Sequence, residues 1–256
     1  MNVLLLQIDT KWQSPEENRR HIETLISAET QTDLIVLPEM FTTGFCISPH
    51  EVAEKAGTVT PEWMRNVAMA KNAAIAGSIV VEENGNFYNR LYFATPDGKY
   101  ASYDKRHLFS FAGEHAGYTA GTKKIIISFR GVRILLQICY DLRFPVFSRN
   151  INDYDMIIYV ANWPVPRVGA WRSLLTARAI ENQCYVAGVN RTGSDPATKY
   201  SGGSVLLDFI GKPVAEAVSD SEEAVSGNID IARLNSFRQK FPALNDADRF
   251  TLCIEP

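Results

Sequence analysis

Three side chains of unlike chemistry sit where apolar runs break off. In ILLQICYDLRFP, residues 134–145, a largely apolar stretch leads into Cys139 and then turns polar. In LIVLPEMF the run Leu34–Pro38 ends in Glu39, and in YASYDKRHLF a strand-like segment ends in Lys105. Taken singly, each has a plain explanation. An isolated cysteine is more often a buried structural residue, and a charge at a strand end is more often solvated or ion-paired, as Asp104-Lys105-Arg106 suggests. Taken together they supply a sulfur nucleophile, a carboxylate base and a cation for an oxyanion, a set able to carry acyl chemistry.

The surrounding elements must bring these three together. NVLLLQID (Asn2–Asp9) reads as a buried strand, and Ser14-Pro15-Glu16-Glu17 as a capping box opening a helix through about Ile26. DLIVLPE is the next strand, and Thr60-Pro61 opens a helix reaching about Ala73. AAIAGSIVVEE, NFYNRLYFATP and YASYDKRH follow, separated by Asn84-Gly85 and Asp97-Gly98, dipeptides that favour tight hairpins. After Gly121 alternation resumes. A strand ends at Cys139, a helix is expected beyond Pro145, then come the strand DMIIYVAN, the helix AWRSLLTARAIEN and the strand CYVAGVN. A hairpin, GSVLLDFIGKPVAEA, turns near Gly211. From Ile229 charges and aromatics mix with little periodicity, so residues 229–256 read as an extension packed on the domain or a partner subunit. Roughly seven or more strands interleaved with about four helices, without a linker or internal repeat, give one α/β domain over 1–256. The predicted strand-to-helix elbow would hold the Cys139 sulfur near backbone N–H groups, which favour a thiolate and bind an oxyanion.

Composition narrows the partners. With 26 Lys and Arg against 29 Asp and Glu, the net charge of −3 provides no broad basic surface for nucleic acid. No run of about 18 uncharged apolar residues spans a membrane, and no basic-then-apolar leader follows Met1. The four cysteines, Cys46, Cys139, Cys184 and Cys253, form no CxxC pair, which argues against a zinc site and for reduced thiols in a cytoplasmic protein.

LPEMF, YDKRHLF and CYDLRFP resemble, in order and spacing, the Glu-Lys-Cys motifs of the nitrilase superfamily of carbon-nitrogen hydrolases, and the resemblance runs over nearly the whole chain. It implies a four-layer α-β-β-α sandwich, commonly a homodimer, working through a thioester with no metal or organic cofactor. A second glutamate of the family matches Glu114 in FAGEHAGYTAG, beside His115. YVANWPVPR, WRSLLTARAIENQCYVAGVNRTG and YSGGSVLLDFIG look most like the bacterial omega-amidase branch, which hydrolyses the terminal amide of 2-oxoglutaramate or 2-oxosuccinamate. Deaminated glutathione amidase and N-carbamoyl amino acid hydrolase are alternatives within the superfamily, and a nitrilase-fold thiol sensor without turnover is one outside enzymology. True nitrilases usually follow the cysteine with Trp-Glu, where this chain has Tyr140-Asp141.

The resemblance assigns roles. Cys139 attacks the amide carbon, Glu39 shuttles protons, Lys105 and the Tyr140 N–H hold the oxyanion, and Glu114 orients Lys105 or the amide. Phe45 and Trp163 are candidate pocket walls. Arg143 is a candidate for a substrate carboxylate, though a local ion pair with Asp141 competes. A Cys-His pair is the rival mechanism, with His107 and His115 the histidines near any motif. Arg172 and Arg178 are expected to face solvent or a subunit contact, Cys184 to lie in the core and Cys46 to border the pocket.

Overall fold

The computed structural model describes residues 1–27 and 31–253. The chain begins with β1 (Asn2–Gln7), α1 (Pro15–Ser27) and β2 (Leu34–Val36), followed by the short β3 (Glu54–Lys55) and α2 (Val59–Lys71). The strands β4 (Ala74–Glu83), β5 (Asn86–Ala94) and β6 (Tyr100–Asp104) then form a meander, and a single helical turn, α3 (Glu114–Gly117), follows. The second half holds β7 (Ile126–Phe129), β8 (Val132–Ile138), β9 (Met156–Ala161), α4 (Val168–Glu181) and β10 (Tyr185–Asn190). It continues through β11 (Thr192–Ser194), β12 (Lys199–Ser201), β13 (Val205–Leu207), β14 (Pro213–Glu216), β15 (Glu223–Asn228) and α5 (Ile231–Lys240).

Two sheets result. One has the order β15-β1-β2-β4-β5-β6, with β3 also paired to β4, and the other the order β14-β13-β10-β9-β8-β7. β11 and β12 form a separate hairpin. Each large sheet is parallel in its middle (β1, β2 and β4; β8, β9 and β10) and antiparallel at its flanks. Parallel strands covered on both faces need continuous apolar sequence rather than alternation, and LLLQ, LIV and MIIYVA supply it.

The layers follow from which side chains meet. Along β1, Val3 and Leu5 join the core between the sheets, while Leu4 and Leu6 turn the other way, to Ile22 and Ile26 of α1 and Met64, Val67 and Ala68 of α2. In the second sheet Ile134, Leu136, Ile158 and Val160 face inward, and Leu135, Ile157 and Tyr159 pack under Trp171, Leu175 and Ala179 of α4. Three apolar interfaces between four layers make an α-β-β-α sandwich.

Three local readings differ from the sequence. Glu17, expected to close a capping box with Ser14, pairs instead with Lys11, and the Ser14 hydroxyl donates to the Trp12 carbonyl at the entry to α1. No helix follows Pro145: residues 139–143 form a 3-10 turn, and the next segment is held by Asn150, whose amide donates to the Tyr154 and Asn182 carbonyls. Such side-chain-to-backbone bonds compete with helix formation. Residues 231–240, read as irregular, form α5, which is capped by Asp230 and packs on the domain through buried Leu234, Phe237 against Phe209 and Arg238 on Asp155. Asn84 and Gly85 both take positive φ, 53° and 79°, as a two-residue hairpin turn requires. Among the described residues no helix is long and apolar enough to cross a membrane.

Candidate active site

Glu39, Cys139 and Asn162 lie just beyond the carboxyl ends of the parallel strands β2, β8 and β9, where open α/β sheets leave room for ligands. The chain leaving β2 stays on β4: the Leu37 N–H donates to the Ala76 carbonyl and the Met40 N–H to the Ser78 hydroxyl. The Lys105 N–H donates to the Asn89 carbonyl, and the Lys105 carbonyl accepts from the Gly121 N–H. Only glycine permits that second approach, since a Cβ at residue 121 would stand 2.1 Å from the Asp104 carbonyl oxygen. Met40 and Cys139 both hold φ of +44°, a left-handed conformation costly for residues with a Cβ and concentrated at functional sites.

The Cys139 turn is braced from several sides. The Asp141 carboxylate, fully buried, accepts from the Ile138 N–H (2.9 Å) and the Tyr103 hydroxyl (2.8 Å) with one oxygen. With the other it meets the His107 N–H (2.9 Å) and His107 Nδ1 (2.8 Å). One carboxylate therefore ties the Cys139 turn to both sides of Lys105. Arg178 is buried, not solvent-facing as expected, and donates to the Leu142 carbonyl at 2.6 Å. A buried guanidinium needs partners for its charge and donors; the Leu142 carbonyl and the Glu181 carboxylate supply them at its two terminal nitrogens, while Nε stays unpartnered. Arg172 pairs with Glu216 at the surface.

Glu39, Lys105 and Glu114 form a closed ionic cluster with side chains wholly shielded from solvent. Lys105 Nζ donates to Glu39 Oε1 at 2.8 Å and to both Glu114 oxygens at 3.1 and 2.9 Å. Glu114 Oε2 also accepts from the Phe109 N–H at 2.6 Å. Burial alone would lower the Lys105 pKa, but Glu114 and Glu39 more than offset it, so the ammonium is held well above its ordinary value. Burial raises the Glu114 carboxyl, with Lys105 pulling it down and Glu39 pushing it up. Enclosure, then the Glu39 carboxylate, pushes the Cys139 thiol well above its usual value against the opposing pull of Lys105. Both influences favour the neutral thiol over a preformed thiolate, although Cys139 keeps part of its surface open to the cavity.

Two amides missed in the sequence complete the cluster. Asn89 Nδ2 donates to Glu39 Oε1 (2.7 Å) and Glu114 Oε1 (3.2 Å). The Asn162 N–H donates to Glu39 Oε2 (2.9 Å), and its side-chain amide to the Glu39 carbonyl (2.8 Å) and Oε2 (3.3 Å). Asn162 carries the same signal as Glu39, a polar residue directly after a buried apolar strand. Asn89 shows only as a polar residue facing inward along β5.

A cavity of about 500 Å³ opens in front of this cluster, with Lys105, Cys139 and Asn162 in its lining. Phe45, Tyr140, Arg143 and Trp163 line it as well, so every candidate wall residue reaches it. Lys105 Nζ lies 5.5 Å from the Phe45 ring centroid. Trp163 is buried between Trp171 and the Arg143 guanidinium, the latter 5.0 Å from its ring. The ion pair considered between Arg143 and Asp141 does not form, because the Asp141 oxygens are committed to Ile138, Tyr103 and His107.

Other candidates stand apart. His115 is exposed on α3, and His107 packs flat on Phe144 with centroids 3.9 Å apart. No histidine is in the cavity lining, so the Cys-His alternative lacks its base. Cys184 is in the core as expected; Cys46 is buried but outside the lining, its carbonyl accepting from the Tyr118 hydroxyl.

Comparison with known proteins agrees with this geometry. The carbon-nitrogen hydrolase family matches residues 3–239. The chain is 44% identical over 253 residues to the omega-amidase YafV of Yersinia enterocolitica, covering 98% of each chain. It is 36% identical over 247 residues to the 2-oxoglutaramate amidase of Bacillus subtilis, covering 94% of this chain and 95% of that one. The solved structure of XC1258 from Xanthomonas campestris, a CN-hydrolase superfamily protein with an arsenic adduct in its active site, matches with a TM-score of 0.96 at 43% identity over 98% of both chains. The protein belongs to the carbon-nitrogen hydrolase family of the nitrilase superfamily, and is a hydrolase of carbon–nitrogen bonds.

Proposed function

We propose that the protein is an omega-amidase that converts the terminal amide of a short dicarboxylic acid monoamide, 2-oxoglutaramate or 2-oxosuccinamate, to the acid and ammonia. The observation that carries this reading is the charge of the cavity. Its lining holds the thiol of Cys139, the ammonium of Lys105 and further cations at Arg143, Arg167 and Lys199, but, among the described residues, no Asp or Glu. A cavity with cations and no accessible acid suits a substrate with an amide at one end and an anion at the other.

The chemistry follows from the hydrogen bonds. Cys139 Sγ attacks the amide carbon as its proton passes to Glu39, a carboxylate anchored by Lys105, Asn89 and Asn162 so that it faces the thiol without rearranging. The oxyanion that develops is met by the Lys105 ammonium. The Tyr140 N–H is the second donor, standing at the start of a 3-10 turn where amides have no partner within the turn. Glu39 then gives its proton to the nitrogen, ammonia leaves, and a thioester remains. Water attacks that thioester as Glu39 takes its proton, and the sulfur departs and is reprotonated. Glu114 holds Lys105 from behind, keeping it charged and aimed at the cavity.

The test is ammonia release from 2-oxoglutaramate, an N-carbamoyl amino acid and propionamide at matched concentrations. The expected order places the oxo-acid amide at least ~10-fold above the others in kcat/KM, since a site built for an anion rejects a ligand lacking it. Equal efficiency on propionamide, or preference for the carbamoyl compound, would contradict the reading.

A further inference from the structure

The cavity lining holds a further cation, Arg167, to which the sequence assigns no role beyond its place at the end of YVANWPVPR. We propose that Arg167 is a specificity residue that receives the substrate's free carboxylate, an inference that rests on the omega-amidase reading above.

The catalytic lysine is not available for that carboxylate, because Glu39 and Glu114 engage its ammonium and the access left to it at the Cys139 end is taken by the oxyanion. Two carboxylates against one cation repel a second anion brought to the Cys139 end. A substrate entering carboxylate first is therefore opposed, and the amide is steered inward. The remaining lining cations are Arg143, Arg167 and Lys199, and among the described residues none of them forms an ion pair. Elsewhere in the chain Arg90, Arg133, Arg172, Arg178, Arg191 and Arg238 each pair with an acid.

Arg167 differs from the other two in how it is held. Arg143 and Lys199 are exposed, whereas Arg167 is half-buried. Its main chain is fixed on both sides: the Arg167 N–H donates to the Pro164 carbonyl at 3.0 Å, and its carbonyl accepts from Trp163 Nε1 at 2.7 Å. Its guanidinium lies 5.3 Å from the Phe109 ring centroid and 5.9 Å from that of Phe111. Aromatic neighbours satisfy the guanidinium face but leave the in-plane N–H fork without an acceptor. That fork matches a carboxylate bidentately. Phe111 is 84% exposed, an apolar ring kept in water at the cavity rim, and supporting Arg167 accounts for it.

The experiment compares wild type, Arg167→Met, Arg167→Lys and Phe111→Ala on 2-oxoglutaramate and on pentanamide, which has the same carbon chain and no carboxylate. Wild type must first prefer 2-oxoglutaramate; if it does not, the omega-amidase reading fails and the inference with it. Given that preference, Arg167→Met is expected to raise KM for 2-oxoglutaramate at least ~10-fold, about 1.4 kcal/mol, with kcat changed far less. The ratio of kcat/KM between the two amides should fall at least ~10-fold, and Arg167→Lys should fall between. A wild-type ratio retained in Arg167→Met would overturn the inference and leave the omega-amidase reading standing. Should Arg167→Met not fold, Phe111→Ala decides at a solvent-exposed position: a raised KM for 2-oxoglutaramate at constant kcat supports the inference, and an unchanged KM overturns it.

Discussion

Replacing Asp141 by Asn removes a charge that touches no substrate, yet the account expects it to cost both stability and turnover. The carboxylate accepts four bonds, from the Ile138 N–H, the Tyr103 hydroxyl, the His107 N–H and His107 Nδ1. An amide keeps one acceptor oxygen, so either way round its NH2 faces two of those partners. Tyr103 can rotate its hydroxyl and His107 can change tautomer, but a backbone N–H cannot turn away. One buried N–H, of Ile138 or of His107, is then stranded at about 1–3 kcal/mol. The surviving bonds also lose their charge assistance, which brings the total to about 2–4 kcal/mol. For a chain of this size that is a drop in Tm of ~4–16 °C, read by scanning calorimetry. Loosening the turn that holds Cys139 at φ +44° should lower kcat about 10-fold with KM little changed. A Tm within ~2 °C of wild type together with an unchanged kcat would refute the bracing role.

Cys139→Ala should abolish ammonia release while Cys46→Ala and Cys253→Ala retain most of it; residual activity above a few per cent in the first variant would remove the nucleophile. Glu39→Gln keeps the size and removes the proton acceptor, so kcat should fall at least ~10²-fold, and Lys105→Met should fall comparably through the oxyanion; a mild effect at Glu39 would require another base. Because enclosure and the Glu39 carboxylate both favour the neutral thiol, the Cys139 thiolate forms only above the ordinary thiol value of 9.0. Iodoacetamide alkylation of Cys139 should therefore keep rising from about pH 7 to 10, and a plateau at or below about pH 8 would show a thiolate already formed. For Lys105 the sign is the reverse of an acid's: its raised pKa contributes stability that is fully present below the unfolded value and is lost only as pH rises through the folded one, above 10.5. An alkaline limb in kcat/KM near about pH 9 that disappears in Lys105→Met would contradict this.

The layers were legible because strands covered on both faces write themselves as unbroken apolar runs, and Glu39 and Cys139 because each interrupts such a run. Asn89 was not, since a single polar residue along a hairpin strand looks the same whether it points to solvent or to two buried carboxylates. The helix expected after Pro145 failed because the segment is held by Asn150, whose amide bonds the Tyr154 carbonyl and the distant Asn182 carbonyl, a partner that no local pattern announces. Reading Asp141 as a partner for Arg143 erred in the same way, taking proximity in sequence for proximity in space. α5 escaped because most of its surface is exposed and Leu234 is its one buried residue, too little to make a stripe. Arg167 lies within YVANWPVPR, yet its role was not legible for a related reason: its meaning comes from Phe109 and Phe111, more than fifty residues away by sequence number.

The claim that everything else depends on is a covalent acyl group on Cys139 during amide cleavage, and intact-mass spectrometry tests it directly. Protein quenched in acid while turning over 2-oxoglutaramate should carry one added acyl group, the substrate less ammonia, mapped by digestion to the peptide containing Cys139. Glu39→Gln, slow in both acylation and hydrolysis, should carry it longer after the substrate is removed, and Cys139→Ala should never carry it. Ammonia released by wild type with no adduct at any quench time, and with turnover surviving in Cys139→Ala, would contradict the account.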